Sequence, residues 1–115
     1  MDTLKFTTVE IDCDLISEWD SFHSVFADAL GFPDFYGRNM NAWIDCMTSL
    51  DAPDDGMTSV HAPDGGCLVL SLLNFRSLAL RQPEIHAAIV QSTAFVNFRR
   101  IEVDDPPILV LSSSG

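Results

Sequence analysis

The sequence predicts an α/β protein in which a small, mainly parallel sheet of three or four strands packs with about four helices. The apolar run Cys67–Leu73 follows Gly65 and Gly66, which is typical of a central strand covered on both faces of a parallel sheet. Runs of this kind alternate along the chain with apolar stripes at helical spacing. The length of 115 residues suits one domain, so we expect a single domain over residues 1–115.

A strand and a helix are predicted at the start of the chain. Leu4–Ile11 is rich in β-branched and aromatic residues, which favours a strand. Ser17 is the expected N-cap of the helix, with Asp20 three residues later in a near capping box. Gly31 provides the C-terminal stop. An apolar stripe runs along this helix: Trp19, Phe22, Phe26 and Leu30.

A second helix is predicted from Asn39, as N-cap, to about Leu50, after a short loop that holds Phe35, Tyr36 and Gly37. At about 100° per residue, this helix has an apolar inner face and a mostly polar outer face. The inner face comprises Trp43, Cys46, Met47 and Leu50. The outer face comprises Asn41, Asp45 and Thr48, with Ile44 at its edge.

The second half of the chain begins with an acidic, Pro/Gly-rich surface loop over residues 51–66. A short helix is expected to follow Asn74 and reach Leu80, and Pro83 is expected to start a longer one. Residues 93–103 fit either a strand or a continuation of that helix. Ile108–Leu111 is predicted to be the last buried strand.

The charge balance is unusual, with 17 Asp and Glu against 6 Lys and Arg, for a formal net charge of −11. Such a surface repels nucleic acid and anionic membranes and attracts basic proteins, although it can also serve solubility alone. The N-terminus lacks the pattern of a signal peptide, so we expect a cytoplasmic protein. The three cysteines have no zinc-like spacing, and neither a metal nor a cofactor is predicted.

Signatures of catalysis are weak. The sequence has no phosphate-binding glycine loop, no GxSxG turn and no HExxH pair. Its three histidines are scattered, and a lone histidine on a helix is usually exposed or already hydrogen-bonded. Cys46 lies on an apolar helix face, where burial makes a thiol inert. Asp45 and Asp51 are the only nearby carboxylates that suit an acid/base pair, and we predict that the protein is not an enzyme.

The segment from Phe32 to Thr48 resembles the signature stretch of the barstar family of intracellular ribonuclease inhibitors. The matching features are a proline with an acid after it, an aromatic pair, a glycine and five later positions: Pro33, Asp34, Phe35, Tyr36, Gly37, Asn39, Ala42, Asp45, Cys46 and Thr48. The resemblance implies a barstar-like layered fold and a bacterial, cytoplasmic inhibitor that is a monomer. Its loop-helix segment 32–50 would block the active site of a basic, extracellular-type ribonuclease or a related toxin enzyme, with Asp45 mimicking a substrate phosphate.

The resemblance also implies a set of partner-binding residues: Phe35, Gly37, Asn39, Met40, Asn41, Ile44, Asp45 and Thr48. No direct contact with nucleic acid or membrane is expected. Four positions depart from the pattern of the familiar inhibitor. Asn41 stands where it has a second interfacial Asp, Arg38 replaces an acid, Ile44 replaces a Trp and Phe35 replaces a Tyr. These departures reduce the negative charge and the aromatic bulk of the segment.

Three other functions stay open at this point. The chain could be a barstar-fold binding module for a partner that is not a nuclease, or a small enzyme that uses Asp45 with a histidine or Cys46. A direct nucleic-acid binder fits least, because the sequence has no basic stripe. The enzyme requires a pocket that brings a histidine beside Asp45. The inhibitor and the binding module require a convex, acidic surface without a pocket there.

Overall fold

The computed structural model describes residues 5–115, so the predicted start of the first strand at Leu4 lies outside the described residues. The strands are β1 (Phe6–Asp12), β2 (Cys67–Leu73) and β3 (Leu109–Ser114). The helices are α1 (Trp19–Leu30), α2 (Met40–Thr48), α3 (Phe75–Arg81) and α4 (Pro83–Glu102). The predicted α/β class, with a small parallel sheet and four helices, is confirmed.

The sheet has the order β1-β2-β3, and both neighbouring pairs are parallel. As predicted, β2 is central. The register aligns Val9 with Leu70, and Ile11 with Leu72, so these buried side chains share one face of the sheet. Both faces of β2 are covered, as predicted, although unequally. Ser71 and its neighbours along the sheet are less buried, because every second position faces a partly open, more polar side.

The N-cap of helix α1 lies one residue later in the chain than predicted. Glu18 is the N-cap rather than Ser17. The hydroxyl of Ser21, three residues later, accepts the backbone N–H of Glu18, as in a capping box, and also that of Ser17. Gly31 ends the helix with φ of 67°, a left-handed conformation that glycine adopts without strain. Trp19 keeps 39% of its surface exposed. The rest of the predicted stripe is buried: Phe22, Phe26 and Leu30.

Helix α4 settles the ambiguous segment, since it continues through residues 93–102 as a helix and the strand alternative is wrong. Phe95 and Phe98, which favoured a strand, are about half exposed on its outer side. The inner side buries residues at helical spacing: Ile85, Ile89, Ser92, Val96 and Arg100. The Asn97 side chain then fixes the start of β3, because its Oδ1 accepts the N–H groups of Ile108 and Leu109.

The acidic loop over residues 51–66 folds back onto the ends of the first two helices. Its N–H groups at Ser59 and Ala62 donate to the carbonyls of Leu30 and Leu50, respectively, at 2.9 Å. The loop therefore does not lie wholly at the surface, and Ala62 is buried in the core. Within residues 5–115, none of the helices has the length and apolar character needed to cross a membrane.

Candidate functional site

Helix α2 begins as the sequence predicts. The Oδ1 of Asn39 accepts the N–H of Ala42 at 2.8 Å, which satisfies one of the free donors at the start of the helix. The preceding residue, Arg38, has φ of 53°, a left-handed conformation that turns the chain from the loop into the helix. The predicted inner face is confirmed, because four side chains are at most 1% exposed: Trp43, Cys46, Met47 and Leu50.

The outer face of α2 also has the predicted composition. Asn41 and Asp45 are exposed, whereas Ile44 and Thr48 are half-buried. The hydroxyl of Thr48 donates to the carbonyl of Ile44 at 2.6 Å, so it is already engaged within the helix. Phe35, in the loop before the helix, is 74% exposed. This face thus combines one carboxylate, one amide and an exposed aromatic ring.

Two side chains tie the loop before α2 to helix α1. The Nδ1 of His23 lies 2.6 Å from the hydroxyl of Tyr36, and the guanidinium of Arg38 contacts Asp20 at 2.7 Å and Ser24 at 3.0 Å. Burial lowers the pKa of His23 and raises the pKa of Tyr36. His23 is therefore a buried, hydrogen-bonded residue that positions the loop, which is one of the ordinary roles expected from the sequence.

The carboxylates predicted as a candidate acid/base pair are each bound to an arginine of α4. Asp45 accepts from Arg99 at 2.9 Å, and this ion pair is exposed, with 57% and 41% of the two side chains accessible. Asp51 binds Arg100 through both oxygens, and Arg100 is only 5% exposed. The hydrogen bond from Arg100 holds the pKa of Asp51 below its usual value.

The surface around Asp45 is not the convex, pocketless one that the inhibitor hypothesis predicts. One groove of about 270 Å³ lies between Asp45 and the loop residues Phe35 and Gly37. A second, of about 410 Å³, lies between Asp45 and Arg99. Met57, from the 51–66 loop, lines each of them.

The grooves do not supply the histidine that an enzyme using Asp45 requires. Among the described residues, the lining of both grooves contains no histidine. Cys46 lines the first groove but is 1% exposed, and burial raises its pKa to about 11, so the thiol stays protonated at neutral pH. Within residues 5–115, no group of three or more His, Cys, Asp or Glu side chains could hold a metal ion.

The predicted contact residues line different grooves around α2. Phe35, Gly37 and Asp45 line one groove, and Thr48 lines the adjoining groove with Asp45. Asn39 and Met40 instead border a separate groove of about 520 Å³ beside α1, with Trp19, His23 and Arg38. The predicted residues are thus distributed over three grooves rather than gathered in one, and Asn41 and Ile44 line none of these three.

Sequence reasoning missed three residues around Asp45: Arg99, Met57 and Asp55. Each comes from a segment that the sequence left as loop or as undecided structure. Arg99 adds a second basic side chain to the edge of this surface, besides Arg38, where it lies with the carboxylates of Asp45 and Asp55. The Arg99-Arg100 pair in a very acidic chain is the one signal that could have suggested a contact with nearby carboxylates.

Comparison with known proteins gives one family. Residues 6–101 match the family model described as Barstar (barnase inhibitor). This match includes β1, α1, α2, β2, α3 and nearly all of α4, and therefore both partners of the Asp45–Arg99 ion pair. No curated protein matches the chain.

Proposed function

This chain belongs to the barstar family, and we propose that it inhibits a basic, extracellular-type ribonuclease by blocking the active site with its 32–50 loop-helix segment. Ribonucleases hold the phosphate of RNA with cationic and hydrogen-donating side chains, so a protein carboxylate can take the place of the phosphate. Asp45 is the residue proposed for this role. We expect the protein to act as a cytoplasmic monomer that touches neither RNA nor a membrane directly.

The proposal is supported chiefly by the position of Asp45. Its side chain is 57% accessible on a helix whose opposite face is buried, and Phe35 stands exposed across the adjoining groove. The helix cannot turn or shift easily, because Trp43 is fully buried against the core. The loop is held by Tyr36 through His23. A carboxylate presented on so rigid a support loses little entropy on binding.

The proposal is tested by barnase inhibition, measured as cleavage of a fluorogenic RNA substrate at increasing inhibitor concentrations. We expect the parent chain to slow cleavage and Asp45→Ala to raise the inhibition constant by at least about 100-fold, since the ribonuclease cations lose a buried counter-charge. Asp28→Ala, an equal charge change at an exposed site of α1, is the matched control. If the parent inhibits neither barnase nor any other basic extracellular ribonuclease tested in the same assay, or if Asp45→Ala inhibits as well as Asp28→Ala, the proposal is wrong.

A second function, a binding module for a partner that is not a nuclease, is favoured by one set of observations. Arg38 and Arg99 flank the proposed contact surface, and Asn41 and Ile44 give it less charge and less aromatic area than the familiar inhibitor has. A cell extract can be passed over immobilised parent chain and over immobilised Asp45→Ala. A retained protein that is lost from the variant column and has no ribonuclease activity would favour this second function.

A further inference from the structure

The outer edge of β1 carries backbone groups that the sheet does not use. This strand lies at one side of the sheet, and among the described strands it pairs with β2 alone. The carbonyl of Lys5 accepts the N–H of Cys67 at 3.1 Å, which fixes the alternation along β1. The odd-numbered residues therefore bond to β2, whereas the N–H and C=O groups of Thr8 and Glu10 point away from it. Such an edge can accept a further strand.

A groove of about 390 Å³ runs beside this edge, between β1 and α1, and is called the β1 groove below. Leu15, in the short turn after β1, is 63% exposed and forms one apolar wall. Val25 and Ala29, one turn apart on α1, form the other. Side chains of a strand alternate between its two faces. Every second side chain of a strand added to β1 would therefore enter this apolar space.

The charge around the β1 groove is entirely negative. Its lining includes the carboxylates of Glu10, Asp12 and Asp28, and among the described residues it holds no Lys, Arg or His. Asp12 already accepts a hydrogen bond from Asn74, but Glu10 and Asp28 are exposed. Glu10 projects from the face of β1 opposite to that of the buried Ile11, since neighbouring side chains alternate. An added strand thus meets a carboxylate on one face and the apolar walls on the other.

These features select the kind of segment that fits the edge. A second copy of this chain is disfavoured, because each copy has a net charge of −11 and would bring further carboxylates to an acidic edge. A basic segment instead gains from opposite charges across the strand pair. In recognition by strand addition, backbone hydrogen bonds give affinity and alternate side chains give specificity. The fitting segment is extended and alternates Lys or Arg with Val, Ile or Leu.

We propose that the free edge of β1 and the β1 groove form a second binding surface, on which an extended basic segment of a partner protein adds as a strand. Its apolar side chains face α1, and its cations lie beside Glu10. The residues that line this groove differ from those that line the grooves around α2. The surface is therefore independent of ribonuclease inhibition, and one chain can hold a ribonuclease and the basic segment together.

The test uses a fluorescent peptide of seven residues, the length of β1, in which Lys alternates with Val. A peptide that alternates Glu with Val is the control probe, and dissociation constants are measured by fluorescence anisotropy at low ionic strength. We expect the parent chain to bind the Lys peptide at least about tenfold more tightly than the Glu peptide.

Two variants and a matched control examine the two faces of the added strand. Glu10→Lys should weaken the Lys peptide at least about fivefold, because an attraction across the strand pair becomes a repulsion. Leu15→Ser, which removes an apolar wall at an exposed position, should weaken it at least about threefold. Glu84→Lys makes the same charge change at an exposed site of α4 and should weaken it less than about twofold.

Hydrogen exchange followed by NMR distinguishes strand addition from attraction by charge alone. With the Lys peptide bound, the amide protons of Thr8 and Glu10 should exchange at least about tenfold more slowly, because they gain hydrogen-bond partners. Those of Thr7 and Val9, which point towards β2, should change little.

Several outcomes would overturn the proposal without touching ribonuclease inhibition. It fails if the parent binds neither peptide, or binds both equally well. It also fails if the Lys peptide binds while the exchange of Thr8 and Glu10 stays the same, since the peptide is then held by charge alone. A dimer of the parent chain in analytical ultracentrifugation that Leu15→Ser abolishes would make a second copy the occupant. Barnase inhibition is measured in parallel, and a loss in Glu10→Lys that Glu84→Lys does not share would refute the independence of the two surfaces.

Discussion

Truncation of Trp43 to Ala should strongly destabilise the fold, by an amount that the surroundings of the indole determine. Trp43 is fully buried, and its ring packs edge-on against Phe26 with centroids 5.7 Å apart. Removing a buried aromatic side chain costs about 3–5 kcal/mol, because contacts are lost and a cavity remains. One feature offsets part of that cost. Within residues 5–115, the indole N–H of Trp43 is buried without a hydrogen-bond partner.

An unpaired buried donor costs about 1–3 kcal/mol, and this cost disappears in either Trp43→Ala or Trp43→Phe. We therefore expect Trp43→Ala to lose about 3 kcal/mol, at the low end of the range for such truncations. Trp43→Phe keeps a ring against Phe26 and sheds the unpaired donor, so it should cost less than about 1.5 kcal/mol. Both values can be measured by urea unfolding followed by far-UV circular dichroism. If Trp43→Phe costs as much as Trp43→Ala, the indole N–H is satisfied in solution and this reasoning is refuted.

Four further predictions concern binding, catalysis and pH. Asp45→Ala should weaken the partner complex by about 3–5 kcal/mol through a faster off-rate, and it should change the free energy of unfolding by less than about 1 kcal/mol. Asn41→Asp should strengthen binding to a basic ribonuclease. The on-rate should fall steeply with salt because the chain carries a net charge of −11, so stopped-flow rates that stay flat would contradict electrostatic steering. The purified protein should not cleave RNA, and turnover that disappears in Asp45→Ala would contradict the inhibitor proposal. Because burial lowers the pKa of His23 from its usual 6.5, unfolded chains bind the proton more readily, so stability should fall as the pH drops below 6.5, and His23→Gln should reduce that fall.

Sequence patterns predicted α2 well because its signals are local. Asn39 is a strong N-cap, and the inner residues Trp43, Cys46 and Met47 follow one helical stripe with polar residues on the other side. Helix α4 was harder, because its outer side also carries large apolar residues such as Phe95 and Phe98. Apolar residues on both sides remove the contrast that marks a helix in a sequence. Its true extent depends on packing against α2 and α3.

The contacts that define the candidate site lie between distant parts of the chain. Asp45 meets Arg99 only because α2 and α4 pack side by side, and no local pattern encodes that pairing. Met57 reaches the site because the 51–66 loop is anchored to Leu30 and Leu50 by backbone hydrogen bonds, which are insensitive to side-chain identity. The outer face of α2 could therefore be predicted, whereas the groove walls on either side of it could not.

The structure separates the residues that stabilise α2 from those proposed to contact a partner. Trp43 is buried on the inner face of α2, and Arg100 is buried in α4, where it contacts the end of α2. Substitutions at these two positions should mainly lower the stability of the fold. Asn41 and Asp45 are exposed and Arg99 is half-buried in an exposed ion pair, so substitutions there cost the fold little. The exposed contact residues can consequently change while the fold stays the same, and the chain matches the family model over residues 6–101 although it carries Asn41 at this surface. The identity of the partner is therefore expected to depend on the exposed charges around Asp45 rather than on the framework that carries them.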